Sequence, residues 1–249
     1  MNDIYGIKNN KNKYYGDEKK KPYIFKSKSI NSLCVYCGEV ADTREHLPTK
    51  GFFEEIENMD FQILPACLAC NNKFSRHEQY LIHYLEYLKK YLLCDYEISE
   101  ETAKELHKNP SLKQKIESEF ELLSDGKVQV TYDYESIEIV LKKLAIGHIA
   151  YEMSDIFMEE PEHFNYKFIY DASEEELDKF NSGVVSDVIP EVGSRLSESI
   201  ILGSDGQIVY PWRVLNDREY MYMTFTNKVY SGVRLVIHEL LICEVLWSS

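Results

Sequence analysis

Four cysteines in two close pairs, Cys34-x-x-Cys37 and Cys67-x-x-Cys70, constrain this chain more than any other feature. Twenty-nine residues separate the pairs. Four thiolates in two tight knuckles suit tetrahedral Zn²⁺ with no open position, so the expected ion is structural. Disulfides are the alternative. The N-terminus carries scattered lysines with no apolar run behind them, and a chain without an export signal favours metal over oxidation. The expected location is therefore the cytoplasm, with no membrane segment. Cys94 and Cys243 lie in apolar surroundings and read as small core residues.

Cysteines alone would support a zinc site that only holds loops together. The residues beside them add chemistry. Thr43-Arg44-Glu45-His46-Leu47-Pro48 follows the first pair closely, and Asn71-Asn72-Lys73 follows the second directly. The order Cys-x-x-Cys, acid-His, Cys-x-x-Cys-Asn resembles the zinc-containing HNH, or ββα-metal, nucleases over residues 34 to about 75. The resemblance implies that Glu45-His46 ends the first strand of a β-hairpin and that the residue after the last cysteine opens a helix. It further implies that Glu45 and Asn71 ligate one catalytic divalent ion, Mg²⁺ or Mn²⁺, with His46 as general base.

The chemistry behind such a trio is general. A phosphodiester resists hydroxide because its oxygens already carry negative charge, so a cation must offset the charge that builds during cleavage. One carboxylate and one amide oxygen suit a hard ion that keeps some waters. Histidine, with an ordinary pKa near 6.5, accepts a proton from water around neutrality. The sequence departs from the family at Glu45, where Asp is usual. The middle residue of the motif falls on Asn58 or Asp60, and spacing does not choose between them.

Further candidates carry plainer readings beside functional ones. Lys73 and Arg76 suit phosphate contact or serve as surface charges on a helix. His77 follows Asn71 by six residues, which is not a same-face helical spacing, so it and Glu78 stay outside the ligand set. Tyr80, Tyr84, Tyr87 and Tyr91 offer stacking faces for bases, although aromatic residues at helical spacing more often build a core.

The fold class expected is α+β, with a zinc-stapled ββα module inside a larger body of helices and a C-terminal antiparallel sheet. The divisions expected are a Lys-rich arm over 1–30, the HNH module over 31–93 and an accessory docking region over 94–249. A helix follows the second cysteine pair, carried by Leu81, Tyr84, Leu85, Leu88 and Leu92. Two short helices break at Asn109-Pro110, and a strand is expected over 128–132. A helical stripe runs from Ile137 to His148, and Ser173 with Glu176 forms a capping-box signature. Strands are expected over 207–214, 219–227 and 232–238.

The formal net charge is -14, which opposes passive adhesion to nucleic acid. Residues 1–30 nevertheless hold eight Lys against three Asp and Glu, so this arm can touch phosphate. HNH proteins of this size resemble bacterial restriction and anti-phage effectors, including the HNH subunit that partners an ATPase in Septu defence. The expected function is thus a metal-dependent DNA endonuclease whose acidic body leaves room for a protein partner. The alternatives are an RNA-directed nuclease and a non-catalytic zinc-ribbon binding module.

Overall fold

The computed structural model describes residues 32–249, except 55, 57, 58, 60, 94, 217 and 218. The arm over 1–30 and the residues Asn58 and Asp60 therefore fall outside the described residues. Contacts divide the chain into two compact units, one of residues up to 72 with 141–249 and one of residues 73–140. Both boundaries fall inside long helices, Leu68–Leu92 and Tyr134–Met153. The architecture is mixed α+β with antiparallel sheets. Among the described residues no helix is long and apolar enough to cross a membrane.

The first unit opens with a hairpin. Strands β1 (Thr43–Leu47) and β2 (Gln62–Ala66) pair antiparallel, with His46 opposite Ile63 and Thr43 opposite Ala66. Strand β1 alternates as strands with one buried face must. Thr43, Glu45 and Leu47 are buried, whereas Arg44 and His46 are half-exposed. Helix α1 (Leu68–Leu92) starts one residue after Cys67, earlier than the apolar rhythm alone suggests. Its first amide is met by a side chain, since Leu68 N donates to Asp42 Oδ1 at 2.7 Å. A carboxylate there satisfies a donor that the helix leaves open and opposes the helix dipole.

The second unit is helical with a small hairpin. Helices α2 (Glu100–Lys108) and α3 (Pro110–Ser118) break at Asn109, whose side chain caps α3 by accepting from Leu112 N. Proline at the first position of α3 removes an amide that would have no partner there. Strands β3 (Phe120–Leu122) and β4 (Val128–Val130) pair antiparallel. Helix α4 (Tyr134–Met153) begins in this unit, with Asp133 Oδ1 accepting from Ser136 N.

The remaining elements complete the first unit. They are β5 (His163–Phe168), α5 (Glu174–Asn181), β6 (Val185–Ser186), α6 (Arg195–Ser199), β7 (Ile201–Leu202) and β8 (Ile208–Val209). After them come β9 (Arg213–Asn216), β10 (Tyr220–Thr226), β11 (Tyr230–Ile237) and β12 (Leu241–Ser248). The large sheet has the order β5-β12-β11-β10-β9, and a smaller one the order β6-β8-β7. The capping box at Ser173 and Glu176 is present and opens α5. The sheet extends past the three expected strands because β12 pairs along its length with β11 and then with β5. Cys243 is buried on β12.

Candidate functional site

The two cysteine pairs converge. The Sγ atoms of Cys34, Cys37, Cys67 and Cys70 lie within 4.8 Å of one another, and none forms a disulfide. Each pair is shaped by its backbone. Gly38 takes φ +73° behind the first pair, a left-handed turn that suits glycine, and Gly38 N donates to Cys34 O. Val35 N donates to Pro65 O, which ties this knuckle to β2. In the second pair Cys70 N donates to Cys67 Sγ at the start of α1.

The donor set fits zinc. Zn–S bonds of about 2.3 Å in a tetrahedron place sulfurs about 3.8 Å apart, and Cys37 and Cys67 stand 3.7 Å apart. Burial pushes the Cys34 and Cys70 thiols up, as do their sulfur neighbours. Burial also opposes ionisation of Cys67, but hydrogen bonds centred on Cys70 outweigh it and draw this thiol down. A divalent ion removes the obstacle to ionising all four, and its binding releases protons. The cluster can thus hold a metal such as zinc.

The buried face of β1 carries a different device. Glu45 is 6% exposed, and Lys143 of α4 is 1% exposed. Lys143 Nζ donates to Glu45 Oε1 at 2.8 Å and to Thr49 Oγ1 at 3.4 Å. One turn along α4, Gly147 brings the helix backbone against the hairpin. A Cβ on Gly147 would lie 2.7 Å from Leu47 Cδ1 and 3.1 Å from Leu64 Cδ1. Asn71 sits near the start of α1, its Nδ2 directed at Thr43 Oγ1 at 3.5 Å. Glu45 and Thr43 share this inner face of β1.

As arranged, Glu45 and Asn71 do not fit a catalytic divalent ion. An ammonium already holds one oxygen of the Glu45 carboxylate, and Asn71 turns its NH₂ group toward the strand. An Mg²⁺ or Mn²⁺ site needs oxygen lone pairs facing a common point, with no competing cation beside them.

The outer face of β1 is partly exposed. His46 is half-exposed and meets Phe61 edge-on, with ring centroids 6.0 Å apart. Arg44 stands two residues away on the same face. Lys50 Nζ lies 5.7 Å from the Phe61 ring centroid. A base, two cations and an aromatic ring therefore gather on one face of the hairpin. Lys143, Asp42 and Lys50 were not among the sequence candidates. None had a local signal, since Asp42 meets an amide 26 residues further along the chain.

Lys73 and Arg76 are exposed on α1 within the second unit. His77 is buried there. Its Nδ1 faces Ser136 Oγ at 2.9 Å, while Arg76 Nε donates to its Nε2. Ser136 Oγ in turn donates to Asp133 Oδ2, so His77 Nδ1 is the donor toward Ser136. Burial, and next to it the Arg76 charge, lowers the His77 pKa, so the ring is a neutral structural link. Glu78 is buried too. Tyr80, Tyr84 and Tyr87 are buried; Tyr80 stacks on Tyr84, and Tyr84 and Tyr87 pack against Phe120. Tyr91 is 40% exposed but stacks on Phe120.

His148 is wholly buried, as its helical position suggests. Its ring stacks on Tyr222 at 3.8 Å, and its Nε2 meets the Tyr220 hydroxyl at 2.8 Å. Burial pushes its pKa down to about 3. The Tyr222 hydroxyl donates to Glu152 and accepts from Gln62 of β2. This polar seam fastens the hairpin to the sheet.

Fold and cluster together define an α+β protein with a four-cysteine cluster that can hold a metal ion. No family model, no curated protein and no solved structure matches this chain.

Proposed function

We propose that the hairpin and the start of α1 form an endonuclease site of the HNH type acting on DNA. The observation that carries this reading is the placement of His46. It lies on the half-exposed face of a strand whose other face is locked by Glu45 and Lys143 and whose neighbouring segments hold the cysteine cluster. A general base works only when its position is fixed, and such rigid support supplies that.

In this reading a ring nitrogen of His46 takes a proton from water as the water oxygen bonds to phosphorus. The P–O bond to the departing oxygen breaks, and that oxygen takes a proton from solvent. Arg44 and Lys50 offset the negative charge of the phosphate. The metal cluster holds the scaffold and takes no part in bond breaking. The overall charge of -14 suits an enzyme that draws on a partner, such as an ATPase in anti-phage defence, for its grip on DNA.

The test is direct. The zinc-loaded chain is incubated with supercoiled plasmid, and separately with transfer RNA, with and without Mg²⁺ or Mn²⁺. Plasmid nicking is expected, and His46→Ala should reduce it by about 10² or more, the usual contribution of a general base. Zinc content and melting temperature should stay unchanged. Equal nicking by both proteins removes His46 from the mechanism, and preferential cleavage of transfer RNA moves the substrate to RNA.

The pairing of Glu45 with Lys143 favours a second reading, a zinc-stapled module that binds without cutting. Nucleic-acid binding with no cleavage by the wild-type chain, across both substrates and both ions, selects it.

A further inference from the structure

We infer that Lys143 is the resident cation of the Glu45 pocket, and that its ammonium and a divalent metal ion exclude each other there. The inference rests on the proposed reading in one respect, that Glu45 holds the position at which HNH-type nucleases carry a metal ligand.

The geometry supports exclusion. The Lys143 side chain has no solvent exposure and its partner Glu45 only 7%. Two like charges a few ångströms apart repel strongly where water is scarce. The ammonium also cannot retreat cheaply. Leu144 and Ala145 beside it are buried, and Gly147 one turn on lies hard against Leu47 and Leu64. Moving the ammonium aside would drag an unpaired charge through this packing. Its second contact, Thr49 Oγ1, ties it to the segment just beyond β1.

An ammonium and a metal do different chemistry at a carboxylate. The ammonium donates a hydrogen bond to Glu45 Oε1 and offsets the carboxylate's charge. A divalent ion keeps waters and polarises them. Glu45 in this chain therefore acts as the clamp of β1, holding the strand while His46 faces outward. A positioning role of this kind predicts a gain in metal binding when the ammonium is removed, which loss of packing alone does not.

Mn²⁺ alone is the probe, added to zinc-saturated protein and followed by electron paramagnetic resonance and calorimetry. The wild-type chain should bind no Mn²⁺ that Glu45→Gln abolishes. Lys143→Gln, which keeps a donor toward Glu45 but carries no charge, should bind Mn²⁺ at least about tenfold more tightly than wild type. The double variant Glu45→Gln with Lys143→Gln should lose that gain. Because breaking a buried pair endangers folding, Lys143→Met paired with Glu45→Gln serves as a charge-free control, and zinc content reports the fold in every variant. Glu45-dependent Mn²⁺ binding by the wild type overturns the inference, and so does a folded Lys143→Gln that gains none. If Lys143→Gln gains Mn²⁺ while no protein nicks plasmid, the inference stands and the nuclease reading falls. If the wild type nicks plasmid and binds Mn²⁺ through Glu45, the reverse holds.

Discussion

Each of the two compact units buries a lysine against a glutamate, and the two pairs are built differently. In the first unit Lys143 meets Glu45, 98 residues away in the chain. In the second, Lys89 meets Glu86 one turn away on α1 at 3.1 Å. Glu86 is shared among several donors, since it also accepts from the Tyr96 hydroxyl and from Ser99 N. The first pair joins elements that only the fold brings together, whereas the second organises the end of one helix and the turn after it. The same contrast runs through the rest of these regions. The hairpin is flanked by sulfurs that meet from thirty residues apart, while α2, α3 and α4 are closed by their own neighbours Ser99, Asn109 and Asp133.

The largest expected effect that breaks this contrast comes from metal removal. Structural zinc contributes on the order of 10 kcal/mol in small zinc modules, so chelation or Cys67→Ser should expose residues 34–71 to protease. Amide exchange within 73–140 should change far less. Unchanged proteolysis after complete zinc loss would show that the cluster does not hold the hairpin.

Next in size are the lysine substitutions. Breaking a buried pair by removing one partner costs roughly 3–5 kcal/mol, and Lys143→Met should fall in that range in urea unfolding. Lys89→Met should cost clearly less, because Glu86 keeps two other donors and lies next to solvent-facing turns. Equal losses would erase the distinction between the local and the long-range pair.

Acidity separates the regions by sign. Burial holds the His148 pKa down to about 3, so between about 6.5 and 3 the unfolded chain binds a proton that the folded chain refuses. This contribution to stability is full above about 6.5 and declines as pH falls, by at most about 1.4 kcal/mol per pH unit. Glu119 in the second unit behaves oppositely. Burial raises its pKa to about 7, ahead of the opposing hydrogen bond from Tyr80. Its contribution is greatest below its ordinary value near 4.5 and is lost as pH rises toward 7. Site-resolved hydrogen exchange at pH 5 and pH 7.5 should show Tyr220 and Tyr222 amides gaining protection with pH, and those around Phe120 losing it. Glu119→Gln should flatten the second trend alone.

The smallest effect sharpens the picture of local closure. Ser99 caps α2 by accepting from Thr102 N at 3.1 Å, and Ser99→Ala should cost about 1 kcal/mol. Thermal melting checks it, and a loss several times larger would mean that Ser99 also anchors Glu86.

Some of this was legible in the chain. The break at Asn109-Pro110, the capping box at Ser173 and Glu176, and the helical stripe ending near His148 are local signals, and they appear where the residues place them. The last strand was not legible. The turn between β11 and β12 places His238 and Glu239 at φ 55° each, a mirror-image turn that usually announces itself as Asn-Gly. Without that signature, the run after Ile237 gives no hint of a hairpin. Strand β5 was hidden as well, because it forms an edge only against β12.

The sequence by itself pointed to the four-cysteine cluster, since two Cys-x-x-Cys pairs at this spacing suit one shared ion, and it placed a histidine beside a carboxylate on an alternating strand. Only the tertiary structure decided what that carboxylate does. Lys143 lies far along the chain on a helix whose pattern reads as apolar core, and a buried ion pair leaves no spacing to read. Its identity as the partner of Glu45 is a property of how α4 packs on the hairpin, made possible by the bare backbone at Gly147.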